Sequence, residues 1–207
     1  MDFNSFNLYR SNITLVFEKL NRSNFSLDEI TSFFGDEVNI HQVNPDIFVL
    51  IFNDGIQCQL GQRRMSLNFE LTEADIESKT NFIIDRLIKL IDLLKEIDLE
   101  VFGFNYDGDG SIKNEKLVSG LYFKEKFFAN EGEIFSNANG ELTSFSPNFR
   151  ISLENKDYNI KLTPQEENKF NFHFNVHFNK SVLPDKQKLQ EIFIKEYYKS
   201  IDLIKNI

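Results

Sequence analysis

Residues 169–179 read KFNFHFNVHFN, an alternation without a break. Phe170, Phe172, Phe174, Val176 and Phe178 fall on one side of an extended chain, and Asn171, His173, Asn175, His177 and Asn179 on the other. Strand side chains point to opposite faces with period two, so this stretch predicts a half-buried strand of an antiparallel sheet, one face on the core and one in water. It decides architecture and leaves chemistry open.

Working outward, a helix is expected from Pro184-Asp185 to the end of the sequence, carrying Leu189, Ile192, Phe193, Tyr197, Ile201 and Ile204 on one stripe. Before the long strand come residues 149–153, a turn around Asn155-Lys156-Asp157, and residues 158–162. The same succession occurs about a hundred residues earlier. Residues 47–52, a turn at Asn53-Asp54-Gly55, residues 56–60 and residues 65–71 read as a hairpin plus a third strand, because Asp-Gly between alternating runs favours a tight turn. A helix over residues 72–97 follows, with Thr72 as cap, Glu73, Asp75 and Glu77 in its first turn, and Leu71 and Ile76 at staple spacing. Ile76, Ile83, Leu87, Leu90, Leu94 and Ile97, widened by Ile84, Ile88 and Ile91, give it a face broad enough to lie on a sheet.

The fold expected is therefore α+β: a tandem pseudo-repeat of antiparallel sheet, hairpin plus long strand, followed by a long amphipathic helix packed on that sheet. Residues 1–128 form an N-terminal α+β unit with its core repeat at 47–97, residues 129–147 a linker or loop, and residues 148–207 a C-terminal sheet-plus-helix unit. Together they make one compact pseudo-twofold assembly. Smaller pieces are a strand within 12–20, a short helix opened by the capping box Ser26-Leu27-Asp28-Glu29 and ended by Gly35, a strand over 99–106, and a helix over 115–128 through Leu117, Leu121, Phe127 and Phe128. In outline this is similar to tandem sheet-plus-helix folds such as TATA-binding-like and helix-grip proteins; the likeness is architectural and implies no function.

Composition narrows the function classes. With 207 residues, 41% of them apolar, the chain can bury a real core. The 23 Phe with no Trp accompany abundant Asn, Ile and Lys, which reads as AT-rich coding rather than functional aromatic enrichment. A net charge of −9 argues against direct nucleic-acid binding, since phosphate contacts need clustered Lys and Arg and the nearest pair is Arg63-Arg64. The single Cys58 alternates with Ile56 and Leu60 and reads as a buried structural thiol. The first ten residues lack the pattern of a signal peptide, and no apolar run approaches a membrane span, so a cytoplasmic setting is expected.

One motif invites a metal. Residues 105–116, NYDGDGSIKNEK, place Asn105, Asp107 and Asp109 two apart, follow them with Gly110, and resemble the first part of an EF-hand loop. Asn105 stands where such a loop has aspartate, and the twelfth position is Lys116, with Glu115 one place early. A polar turn after a strand is the preferred reading, with Asn105, Asp107, Asp109 and Glu115 kept as a weak calcium candidate. His173 and His177 lie four residues apart on one strand, about 13 Å at the usual rise, too far to share an ion. With Asn171 and Asn175 they read as a polar sheet face, rich in donors and acceptors, that could serve in recognition. His41 has no local partner pattern. No nucleophile elbow, phosphate loop or dinucleotide fingerprint is present, so no catalytic residue, cofactor or metal is assigned.

The expectation is a non-enzymatic protein-interaction module, an adaptor, assembly component or inhibitor, using an acidic surface and the polar face of Asn171, His173, Asn175 and His177. Its partner would be another protein with a basic surface, or a second copy of the chain, with neither nucleic acid nor membrane. The alternative is a small-ligand binder or cryptic enzyme with a Phe-lined pocket.

Overall fold

In the computed structural model, which describes residues 2–95, 97–127 and 144–206, the chain is an α+β protein built on one antiparallel nine-stranded open sheet. In chain order its elements are β1 (Phe3–Phe17), α1 (Leu27–Phe34), β2 (Val38–Asn44), β3 (Ile47–Phe52), β4 (Gln57–Gly61), β5 (Arg64–Glu70), α2 (Ile76–Asp92), β6 (Leu99–Ile112), α3 (Ser119–Phe127), β7 (Asn148–Leu153), β8 (Lys156–Pro164), β9 (Lys169–Phe178) and α4 (Lys186–Lys205). The strands lie in the order β2-β3-β4-β5-β1-β6-β9-β8-β7. The two halves expected from the sequence are thus parts of a single sheet, in which β1 and β6 of the first half lie side by side. Strand β6, from the first half, also pairs along its length with β9 from the second.

Register explains which side chains meet. One row runs across eight strands through Leu50, Cys58, Leu67, Ile13, Phe104, Val176, Tyr158 and Ile151. Its rows of apolar neighbours bear each of the four helices described. Phe34 of α1 meets Phe52 at 5.1 Å, the Arg86 guanidinium of α2 lies 4.1 Å from the Phe52 ring centre, Phe123 of α3 meets Phe170 at 5.6 Å, and Phe193 of α4 meets Phe104 at 5.1 Å. Core and helices therefore occupy one side of the sheet. Cys58 is fully buried there, and burial drives its thiol far above the ordinary range.

The helices begin as their caps dictate. Ser26 accepts from the Glu29 N–H, Thr72 and Asp75 form a reciprocal box, and Asp185 accepts from the Lys188 N–H at 2.9 Å, with Pro184 just outside the helix. Helix α2 ends at Asp92, five residues short of the expected Ile97. There Asn24 holds the departing chain at both backbone groups of Lys95, accepting from the Lys95 N–H on its own carbonyl and donating its side-chain amide to the Lys95 carbonyl.

Three other departures are informative. Strand β1 starts at Phe3 rather than within 12–20, because register shifts after Phe3 and after Leu8 break the two-residue period that would have revealed it. Strand β2 was not expected at all. The turn after β7 falls at Glu154 and Asn155, Glu154 in the left-handed region at φ 46°, so Lys156 and Asp157 already belong to β8. The expected helix over 115–128 is present as α3; Phe128 and most of the expected linker, residues 129–143, lie outside the described residues.

Candidate functional site: the open face of the sheet

Among the described residues the opposite face of the sheet carries no helix, and its central rows are polar, with Ile47, Val49 and Ile51 on it toward the β2–β3 edge. The central row crosses five adjacent strands entirely on asparagine: Asn68 of β5, Asn12 of β1, Asn105 of β6, Asn175 of β9 and Asn159 of β8 are successive register partners. Their side chains form a one-way chain of hydrogen bonds. Asn159 donates to Asn175 at 3.1 Å, Asn175 to Asn105 at 2.7 Å, Asn105 to Asn12 at 2.9 Å, and Asn12 to Asn68 at 2.7 Å. Thr14 also donates to Asn12 at 2.6 Å and shares a 2.9 Å hydrogen bond with Ser66. Each amide has two N–H groups and two lone pairs, so a chain that uses one donor from each still leaves hydrogen-bonding capacity facing water. Cross-strand amide pairs of this kind also pin side-chain orientation, which lowers the cost of ordering them for a partner.

The next row is charged. Glu70, Arg10, Asp107, His173 and Lys161 follow one another across β5, β1, β6, β9 and β8. Asp107 accepts from Arg10 Nε at 3.1 Å on one oxygen and from His173 Nδ1 at 2.7 Å on the other. Burial alone would raise its pKa; the imidazole and guanidinium bonded to it outweigh that and hold it below the ordinary carboxylate value. Beyond lies Asp109, which accepts from the Asn7 amide at 2.9 Å and faces Asn171, and then Ser5 and Ser111 with hydroxyls 2.9 Å apart. His177 sits on the other side of the asparagine row, between Gly103 and Asp157.

The sequence motif at 105–112 is therefore neither turn nor loop. Asn105, Asp107 and Asp109 project from one face of β6 at successive two-residue steps, roughly 7 Å apart along the strand, and Glu115 lies beyond the strand's end. Such a line cannot wrap one ion, and among the described residues no group of three or more His, Cys, Asp or Glu is arranged to hold one. The glycines that suggested a turn serve the core. Gly108 and Gly110 occupy the helix-bearing face, where the rings of their register partners Phe172 and Phe170 lie directly over them. The alternation Asp-Gly-Asp-Gly is thus a strand with acids outward and ring-accommodating glycines inward.

Of the residues singled out from the sequence, Asn105, Asp107, Asp109, Asn171, His173, Asn175 and His177 come together on this face through the β6–β9 pairing. Glu115 does not join them. Asn12, Asn68 and Asn159 were missed. Each stands on the polar side of an alternating run, which is visible locally, but their alignment into one row depends on register. His41 of β2 lies opposite Val49, away from the other histidines.

Core phenylalanines pack against one another: Phe172 and Phe174 stack at 4.5 Å, as do Phe102 and Phe178 at 4.6 Å. The exposed Phe82 and the edges of the buried Phe69, Ile56 and Ile83 line a groove of 270 Å³. No helix among the described residues is long and apolar enough to cross a membrane. Compared with models of known families and with curated proteins, the sequence matches none.

Proposed function

We propose that this protein is a non-enzymatic interaction module that receives another protein on the open face of its sheet. The observation that carries this reading is the asparagine row, five hydrogen-bonded amides across five strands with no element of the described chain covering them. Five strands at the usual spacing are about 24 Å wide, and a nine-residue run of strand is about 30 Å long, so the face offers roughly 700 Å², close to one side of a standard protein interface. A mixed polar surface of this extent suits a non-obligate complex, whose area is no more apolar than ordinary surface. The net charge of −9 favours a partner with a basic surface, drawn in by long-range attraction and then fixed by the amides.

The scaffold reads as a duplication. Strands β3-β4-β5 lead to β1 from one edge just as β7-β8-β9 lead to β6 from the other, and a long helix follows β5 and β9 alike, which supports a pseudo-twofold axis between β1 and β6. On that reading the asparagine row crosses the axis, with Asn68 and Asn12 on one side of it and Asn105, Asn175 and Asn159 on the other.

A pull-down from the native host at low salt tests the proposal when it is run beside two variants. Asn171→Arg with Asn175→Arg places two bulky charges on the face, while Asp202→Arg alters the far side of α4. The expected result is a stoichiometric protein captured by the parent and by Asp202→Arg, released by salt, and lost from the face variant. Equal capture by all three sinks the face as the docking site. The Phe-lined pocket keeps one observation in its favour, the 270 Å³ groove at Phe69 and Phe82; thermal stabilisation by a small apolar ligand, abolished by Phe82→Ala, would move the function there.

A further inference from the structure

At the other margin of the molecule a cleft opens between the β7–β8 turn, the end of β9 and one side of α4. Its volume is 660 Å³, within the range of small-molecule sites. Five lysines line it, Lys156, Lys180, Lys188, Lys195 and Lys199, with the three glutamates Glu154, Glu191 and Glu196. That is an excess of two positive charges in a chain whose net charge is −9.

Two of the three glutamates are held by partners, and Glu154, at the β7–β8 turn, has no ion pair among the described residues. Glu196 is buried at 2% exposure, and its two oxygens are taken by the Lys156 ammonium at 2.5 Å and by the Tyr158 hydroxyl. Glu191 is paired with Lys188 at 3.0 Å. Lys180, Lys195 and Lys199 have no ion pair among the described residues, and the Lys199 ammonium rests 5.4 Å from the Tyr158 ring centre. Lys188, Lys195 and Lys199 recur at helical spacing, so α4 presents them as one stripe to the cleft. Three ammonium groups that line one cleft without a paired carboxylate repel one another, and a multiply charged anion relieves that repulsion. Beside them Leu153, Ile192 and Phe178 supply an apolar wall.

We infer that this cleft binds a small phosphate-bearing organic molecule, its phosphates on Lys180, Lys195 and Lys199 and its body against Ile192 and Phe178. The buried Lys156–Glu196 pair forms a neutral floor, which keeps the Glu196 charge from opposing the anion. This site is independent of the sheet face, and either can fail alone.

Calorimetric titration of the whole chain at low ionic strength tests it, with inorganic pyrophosphate and ATP as probes. Both should bind saturably at one site, ATP at least tenfold tighter because its organic portion meets the apolar wall. Lys195→Ala with Lys199→Ala should weaken both at least tenfold, while Lys113→Ala with Lys116→Ala, at the opposite end of the sheet, should change neither. Absence of saturable binding at millimolar probe, or unchanged affinity in the Lys195/Lys199 variant, overturns the site. Equal affinity for the two probes overturns the assignment of an organic ligand.

Discussion

The ring of Phe172 covers Gly108, its register partner on the neighbouring strand, so closely that a β-carbon there would stand 2.1 Å from the ring's Cζ. Two backbone features of β6 follow from it. The strand can be flanked by aromatic rows without thickening the sheet, and Asp107 and Asp109 are turned to the polar side because Gly108 between them and Gly110 after them are turned to the core. The adjacent pair repeats the device: a β-carbon at Gly110 would lie 2.4 Å from Phe170 Cζ.

Gly108→Ala is accordingly expected to destabilise the fold by about 1–3 kcal/mol, the usual cost of overpacking a closed core. A β-carbon at Gly108 would also stand 2.4 Å from the Asn7 carbonyl oxygen, so trimming the ring relieves only part of the clash: Phe172→Leu in the Gly108→Ala background should cost less than Phe172→Leu alone, and the double variant should stay less stable than Phe172→Leu. Urea unfolding of the four proteins measures this; additive losses would mean that ring and glycine do not interact as described.

Asn105 occupies the middle of the amide row, donating to Asn12 and accepting from Asn175. Asn105→Ala removes two hydrogen bonds from half-buried partners and should cost about 1–2 kcal/mol. A double-mutant cycle between Asn105 and Asn175 should give coupling of about 0.5 kcal/mol or more. The cycle between Asn68 and Asn159, at opposite ends of the row, should show little.

Arg86 ties α2 to the β3–β4 hairpin. Its buried guanidinium lies 2.7 Å from Asp54 and 3.6 Å from Glu37, stacked over Phe52 and Phe82. Both acids reach water, so the loss on Arg86→Ala comes mainly from packing and the aromatic contacts, about 2 kcal/mol. Hydrogen exchange should quicken first in residues 47–60; uniform quickening across the sheet would argue against a local clamp.

Asp107 sets a pH dependence whose sign is fixed by its partners. Its folded-state pKa is depressed, so the stabilisation it gives is fully present above the unfolded value near 4 and is lost as pH falls through the lower folded value. Asp107→Asn should be less stable than the parent at pH 7. The gap should narrow below about pH 4, and denaturation midpoints measured across pH 2–7 would show it. A gap unchanged down to pH 2 would exclude the carboxylate as its cause.

Much of this architecture was legible locally. The β9 alternation, the Asp-Gly hairpin before β4, and the stripes of α2 and α4 all express a period that a short window contains. What escaped did so for identifiable reasons. Bulges hid the start of β1, and nothing adjacent in the chain revealed that Gly108 and Gly110 sit under rings sixty residues away. Read alone, DGDG has the glycine and aspartate content of a turn; the Phe rows on the neighbouring strand make it the middle of a sheet.

The sequence by itself determined which side chains share a face, because the two-residue period of a strand and the 3.6-residue period of a helix are set by each segment's own backbone. Which asparagines meet was decided only by the tertiary structure. Strand order and register bring Asn12, Asn68, Asn105, Asn159 and Asn175 into one row, and both depend on how distant apolar faces fit beneath the helices, a relation no local stretch of chain contains.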